Sequence, residues 1–139
     1  MREQATLLGG DAADGRAVSV LLVEDHAAVR EALAERFARE AGFEVVAQAG
    51  SLAEARARLH GIDVAIMDLG LPDGYGGDLI KELHEASPHA QAVILSACLD
   101  PEEARRACAD GAAAALDKLV HLDEVVDTVR RLRPRDPAR

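Results

Sequence analysis

From residue 17 onward, short apolar runs alternate with amphipathic stretches, and this alternation predicts the elements before any motif is considered. Residues 17–23 (AVSVLLV) are almost continuously apolar with three valines, the pattern of a strand covered on both faces. Residues 26–41 place Val29, Ala32, Leu33 and Phe37 on one helical face, and Gly42 ends that helix. A second strand follows at 43–47. Ser51 with Glu54 three residues on is a capping box, which starts a helix running to about residue 59. Residues 63–67 read as a third strand, 72–77 (PDGYGG) as a loop and 79–85 as a helix stopped by Ser87-Pro88. Residues 91–95 form the fourth strand. Asp100, Pro101 and Glu103 then combine an N-cap, a first-turn proline and an acid at the third position, opening a helix that ends near Gly111.

Residues 112–116 (AAAAL) favour helix by propensity. The break at Gly111 and the rhythm of the chain assign them to a fifth strand instead. Leu122, Val125, Val126, Val129 and Leu132 form the last helical stripe. Five strands alternating with five helices predict an α/β fold, a parallel sheet with helices on both faces. The expected organisation is a flexible extension over 1–16, one domain over 17–133, and a basic tail or linker start over 134–139.

Composition narrows the function. A chain of 139 residues, 49% apolar, suits one domain with a sizeable core. The net charge of −9 argues against nucleic-acid binding by this domain, which needs clustered Lys and Arg. No apolar run is long enough to span a membrane, and the N-terminus lacks the apolar segment of a secretion signal, so a cytoplasmic location is expected. Cys98 and Cys108 have no zinc-like spacing and are expected to be buried apolar filler.

The polar residues that close the apolar runs carry the chemistry. Glu24 and Asp25 follow the first run, Asp68 the third, Ser96 the fourth and Lys118 the fifth. In a parallel sheet all five meet at the C-terminal edge, where open α/β sheets place their sites. Singly, each has a plainer role: a helix cap, a turn residue, a strand cap, a solvated lysine. Together they describe a pocket for a divalent cation and a phosphoryl group. Three carboxylates about 5 Å apart would repel by roughly 3 kcal/mol per pair at an effective dielectric near 20, a cost that a cation removes. Mg²⁺ suits one or two carboxylates plus phosphate oxygens. Asp68 is the candidate nucleophile, with the Ser96 hydroxyl and the Lys118 ammonium as partners for phosphoryl oxygens and the Gly70 carbonyl available to the metal. His26 reads as an exposed first-turn residue, and Tyr75 as loop packing.

With these segments in view (VSVLLVEDHAAVREAL, DVAIMDLGLPDGYGGDLI, AVILSA and DGAAAALDK) the chain resembles the receiver domain of bacterial two-component response regulators. The VEDH and DLGLPDGYGGDLI segments look most like the NarL-type subfamily, whose members usually carry a C-terminal DNA-binding module. The resemblance implies a flavodoxin-like sheet of order 2-1-3-4-5. It implies phosphoryl transfer to Asp68 from a histidine kinase or phosphotransfer protein, and a signalling domain rather than an enzyme. It also implies Mg²⁺ held by Asp25, Asp68 and the Gly70 carbonyl with Glu24 acting through water, Ser96 and Lys118 on the phosphoryl group, and a possible homodimer. Two positions depart from the family pattern. Ala115 stands where an aromatic switch residue is usual, and Leu119 follows the lysine where proline is usual. A cis bond before leucine would be costly. A different lysine-loop geometry or a looser switch is therefore expected. The alternatives are a binding module that ignores phosphate and, third, an Asp-dependent phosphohydrolase, which would want an acid where Gly70 stands.

Overall fold

The computed structural model describes residues 16–137. The extension expected over 1–16 therefore lies, except for Arg16, outside the described residues. Five parallel strands form one sheet: β1 (Val18–Val23), β2 (Phe43–Ala49), β3 (Val64–Asp68), β6 (Gln91–Ser96) and β7 (Ala114–Asp117). Their order is β2-β1-β3-β6-β7, which is 2-1-3-4-5 when only the strands of this sheet are counted. This is the flavodoxin-like arrangement. The numbering gap comes from a two-stranded antiparallel hairpin, β4 (Gly70–Leu71) and β5 (Gly74–Tyr75), built from the segment that reads as loop in the sequence.

The period-two alternation of the strands sorts their side chains into two cores. Val20, Leu22, Val64, Ile66, Val93 and Leu95 face α1 (Ala27–Ala38) and α5 (Leu122–Arg131), packing on Leu33, Phe37, Val125, Val126 and Val129. Phe37 and Phe43 meet edge to face at 5.4 Å between ring centroids. The alternate residues, including Leu21, Val23, Ala65, Met67, Ala92 and Ile94, face α2 (Leu52–Arg56), α3 (Asp78–Ala86) and α4 (Pro101–Ala109). Polar ties close the rim of the first layer: Arg36 reaches Asp123 and Glu40, and Arg130 pairs with Glu40.

Several boundaries differ from the sequence expectation. Helix α2 ends at Arg56 rather than near residue 59, because Ala57 and Arg58 turn to i−3 carbonyl acceptors. So short a helix depends on its caps. Ser51 Oγ accepts from Glu54 N–H, and Asp73, from the turn of the hairpin, accepts from Leu52 and Ala53 N–H at 2.8 and 3.1 Å. Helix α1 stops at Ala38, and Gly42 reverses the chain at φ 91°. Val29, expected on the buried face, is 36% exposed, so Leu33 and Phe37 carry that face. Both cysteines are exposed rather than buried: Cys98 sits past the end of β6 and Cys108 on the outer side of α4. The AAAAL segment is indeed a strand, displaced to Ala114–Asp117, with Ala115 opposite Ile94. The segment after α5 turns back along the α3–β6 connection. Arg135 N–H donates to His89 O at 2.8 Å, and Gln91 Nε2 donates to Arg133 O at 2.9 Å.

Candidate functional site

Glu24, Asp25, Asp68, Ser96 and Lys118 all come to the C-terminal edge of the sheet. Asp68 is the last residue of β3 and Ser96 the last of β6, and both are buried. Glu24 follows β1 and continues its pairing through Glu24 N–H to Ala49 O, so its side chain enters the protein and is 2% exposed. Asp25, one residue later, points outward and is exposed. The backbone of Lys118 is set by its N–H to Ser96 O at 2.8 Å, which aims the side chain over the sheet edge.

The lysine is the centre of the charge arrangement. Its Nζ lies 3.0 Å from Asp68 Oδ2 and 2.9 Å from Glu24 Oε1, and it donates to Glu24 Oε2 at 3.1 Å. Asp68 Oδ1 accepts from Gly70 N–H at 3.1 Å. Burial and then the neighbouring Glu24 charge push the Asp68 carboxyl above its ordinary range, against Lys118 and the Gly70 N–H. Burial also acts to raise Glu24, but Lys118 and the backbone and ring of His26 outweigh it and hold that carboxyl low. Burial would lower Lys118, yet its two carboxylate partners keep it raised and charged.

His26 is exposed, as expected, and its ring also turns back onto the acid pair. Its Nδ1 is 3.0 Å from Glu24 Oε2 and 3.5 Å from Asp25 Oδ1, although the side chain is 68% exposed. Ligand atoms of Glu24, Asp25, His26 and Asp68 all fall within 4.8 Å of one another. The cluster can hold a divalent metal ion, and its oxygen-rich donor set fits a hard cation.

A cavity of about 310 Å³ opens over Asp68 and is lined also by Gly70, Ser96, Glu103 and Lys118. A larger cavity of about 730 Å³, between α3 and the C-terminal segment, contains none of these groups. Glu103 is the residue that the sequence reading placed only as a helix-start acid. Ser96 Oγ donates to Glu103 Oε1 at 2.5 Å. The signal was available in principle, since an acid at the third position of a helix just after a site strand faces back toward that strand.

Further features frame the pocket. A Cβ at Gly76 would stand 2.2 Å from the Asp68 carbonyl oxygen, so glycine is needed for the hairpin to close on the strand end. Every peptide bond among the described residues is trans, including the one before Leu119. The lysine loop is shaped instead by Asp117, whose Oδ1 accepts Leu119 N–H at 2.8 Å, leaving Leu119 88% exposed. Ala115 packs partly buried against the α2–α4 core, as does Tyr75. The Tyr75 hydroxyl donates to Asp110 at 2.8 Å, with the Arg106 guanidinium 4.0 Å from its ring centre. Burial, then Asp110, pushes the phenol up to about 12.

The class is therefore a doubly wound α/β domain whose switch-point edge gathers a carboxylate cluster, a buried aspartate and a lysine. The family model for the response regulator receiver domain matches residues 20–130, and the chain belongs to that family. It is 35% identical over 115 residues to the DNA-binding transcriptional activator DevR/DosR of Mycobacterium tuberculosis, covering 81% of this chain and 53% of that protein. A LuxR-family two-component response regulator from Aurantimonas superposes with TM-score 0.75 at 26% identity, over 88% of this chain and 91% of that one. These relatives place the chain in the NarL-type group. A response regulator from Burkholderia pseudomallei, solved with a phosphorylated aspartic acid, a calcium ion and citrate, shares the fold at TM-score 0.75 and 24% identity, over 82% of this chain and 67% of that one. The chain spans about half the length of the curated relatives it matches. No helix among the described residues is long and apolar enough to cross a membrane.

Proposed function

We propose that this receiver domain accepts a phosphoryl group on Asp68 from a histidine kinase or a phosphotransfer protein in Mg²⁺-dependent two-component signalling. The observation that carries this reading is the buried Asp68 carboxylate at the strand end, 3.0 Å from Lys118 Nζ and beside an open cavity. In the transfer, the P–N bond of a phosphohistidine breaks as an Asp68 oxygen bonds phosphorus, giving an acyl phosphate. Lys118 pairs with the carboxylate beforehand and with the phosphoryl oxygens afterwards, and Ser96 supplies a hydroxyl donor.

Asp25 and Asp68, with the Gly70 carbonyl, would hold the Mg²⁺, and Glu24 would act through a water. When bound, the ion neutralises charge on the phosphoryl oxygens. Asp25 is the most open of these carboxylates, whereas Glu24 is already held by Lys118 and His26. The domain acts as a phosphoacceptor, not as an enzyme with a separate substrate, and Gly70 stands where a phosphohydrolase would carry its second acid. It works in the cytoplasm, switches a protein–protein surface that can include a second copy of itself, and leaves DNA contact to a C-terminal module of a longer parent chain.

Acetyl phosphate with Mg²⁺ should add one phosphoryl mass to the wild-type chain and none to Asp68→Ala. A wild type without adduct, or an undiminished adduct in the variant, defeats this reading. Ala115 and Leu119 favour a second reading, a module that binds its partner regardless of phosphate. Partner affinity unchanged by phosphodonor and by Asp68→Asn would establish it.

A further inference from the structure

We propose that Glu103 is the resting partner of Ser96 and competes with a phosphoryl group for its hydroxyl, so that phosphoryl capture and release of the first turn of α4 are one event. This inference rests on Asp68 being the phosphoacceptor. A serine hydroxyl has a single proton to donate. In the structure that proton is committed: Ser96 Oγ donates to Glu103 Oε1 at 2.5 Å, a short, charge-assisted bond made by a side chain that is 5% exposed. The other contact of the hydroxyl is as acceptor, from Cys98 N–H at 3.4 Å. Ser96 therefore cannot donate to a phosphoryl oxygen without letting go of Glu103.

The carboxylate also has to move for a second reason. Glu103 lines the same cavity as Asp68 and Lys118, so a phosphoryl group there would bring like charges together. The helix that carries Glu103 is poorly held. Ala107 is the one buried residue of α4, and the rest of its surface is partly or fully exposed. Polar ties fasten it at both ends: Ser96–Glu103 at the start, and Tyr75 with Asp110 and Arg106 at the finish. A helix with so little buried surface opens at low cost. Losing the Ser96 tie leaves the N-terminal turn held only by its own Asp100 cap, whose Oδ1 accepts Glu103 N–H at 2.8 Å, while the Tyr75 tie still holds the other end. The switch then needs no aromatic at Ala115, because the first turn of α4 is itself the moving part. Glu103 is a positioning residue in this scheme and touches no reacting atom.

The test follows phosphorylation of the full chain by acetyl phosphate and Mg²⁺ with intact-mass detection, alongside hydrogen exchange of α4. Glu103→Ala should accelerate phosphorylation about two- to tenfold, the span of one hydrogen bond's net worth. Glu103→Gln, which keeps a side-chain acceptor for the Ser96 hydroxyl but removes its charge, should accelerate it less than Ala does. Both gains should vanish in a Ser96→Ala background. The first turn of α4 should exchange faster in phosphorylated than in resting wild type, and fast in Glu103→Ala in either state. Equal rates for wild type and Glu103→Ala overturn the proposal, as does a larger gain in Gln than in Ala, a gain that survives Ser96→Ala, or α4 exchange indifferent to both changes. If wild type takes an adduct and the Glu103 variants do not differ, this inference alone fails. If neither wild type nor variant takes one, the phosphoacceptor reading fails with it.

Discussion

The acid pocket and helix α4 meet at Ser96 and are built on opposite plans. In the pocket, Glu24 and Asp68 are buried, Lys118 is half-buried, and the lysine ties the two carboxylates within about 3 Å, with the backbone of Gly70 and His26 adding donors. Each position is held by several contacts. In α4 one alanine is buried, and the helix depends on a few polar contacts at its two ends. The difference separates two tasks. Under the proposed scheme, the groups that would receive the phosphoryl group are held by several contacts each, whereas the element that would report occupancy buries one residue and leads back to the site through Ser96–Glu103.

The largest expected effect falls on the rigid side. Lys118→Met leaves two buried carboxylates without their cation and should cost about 3–5 kcal/mol in urea unfolding at neutral pH. The loss should shrink on acidification, as the carboxylates become protonated. Wild type carries two opposing pH trends. Asp68, raised in the folded state, contributes stability at low pH that is lost as pH rises through its folded value. Glu24, lowered in the folded state, contributes stability above its unfolded value that is lost as pH falls through its folded one. A Lys118→Met variant with unchanged, pH-independent stability would show that the pocket is not held by this pair.

Next in size is the metal. Saturating Mg²⁺ should raise the melting temperature of the wild-type chain, by the equivalent of about 2.7 kcal/mol at a hundredfold excess over Kd. Asp25→Ala should abolish most of that gain while changing metal-free stability little, since Asp25 is exposed. Equal stabilisation of both proteins would place the cation elsewhere. The smallest effect tests the loose side. Tyr75 is the chain's single tyrosine, so its phenolate absorbance reads one group. The midpoint should lie near 12. A midpoint at the ordinary value near 10 would mean that the tie between the hairpin and the C-terminal end of α4 is not made in solution.

The sheet and most of the site were legible in the sequence because they follow from local periodicity. Apolar runs ending in Glu24, Asp68, Ser96 and Lys118 needed only the rule that parallel strands share a C-terminal edge. Even AAAAL read correctly as a strand against its propensity, because Gly111 closed the preceding helix. What was misread involved partners far along the chain or a choice between faces. Helix α2 ends early because Ala57 and Arg58 turn to i−3 acceptors, its start is held by Asp73 from another loop, and Val29 lies on the solvent side of a helix that the apolar pattern would have widened. The cysteines, apolar by type, are exposed because they fall past a strand end and on the outer side of α4.

By itself the sequence determined the βα rhythm, the two-sided core and the residues that line the sheet edge, because hydrophobic period and strand-end position are properties of consecutive residues. Only the tertiary structure decided which of those polar residues touch. Lys118 bridges Glu24 and Asp68, His26 turns back onto Glu24, and Ser96 gives its proton to Glu103. Hydrogen bonds and ion pairs act over about 3 Å, and whether two side chains come that close is set by how helices pack on the sheet, not by their spacing along the chain.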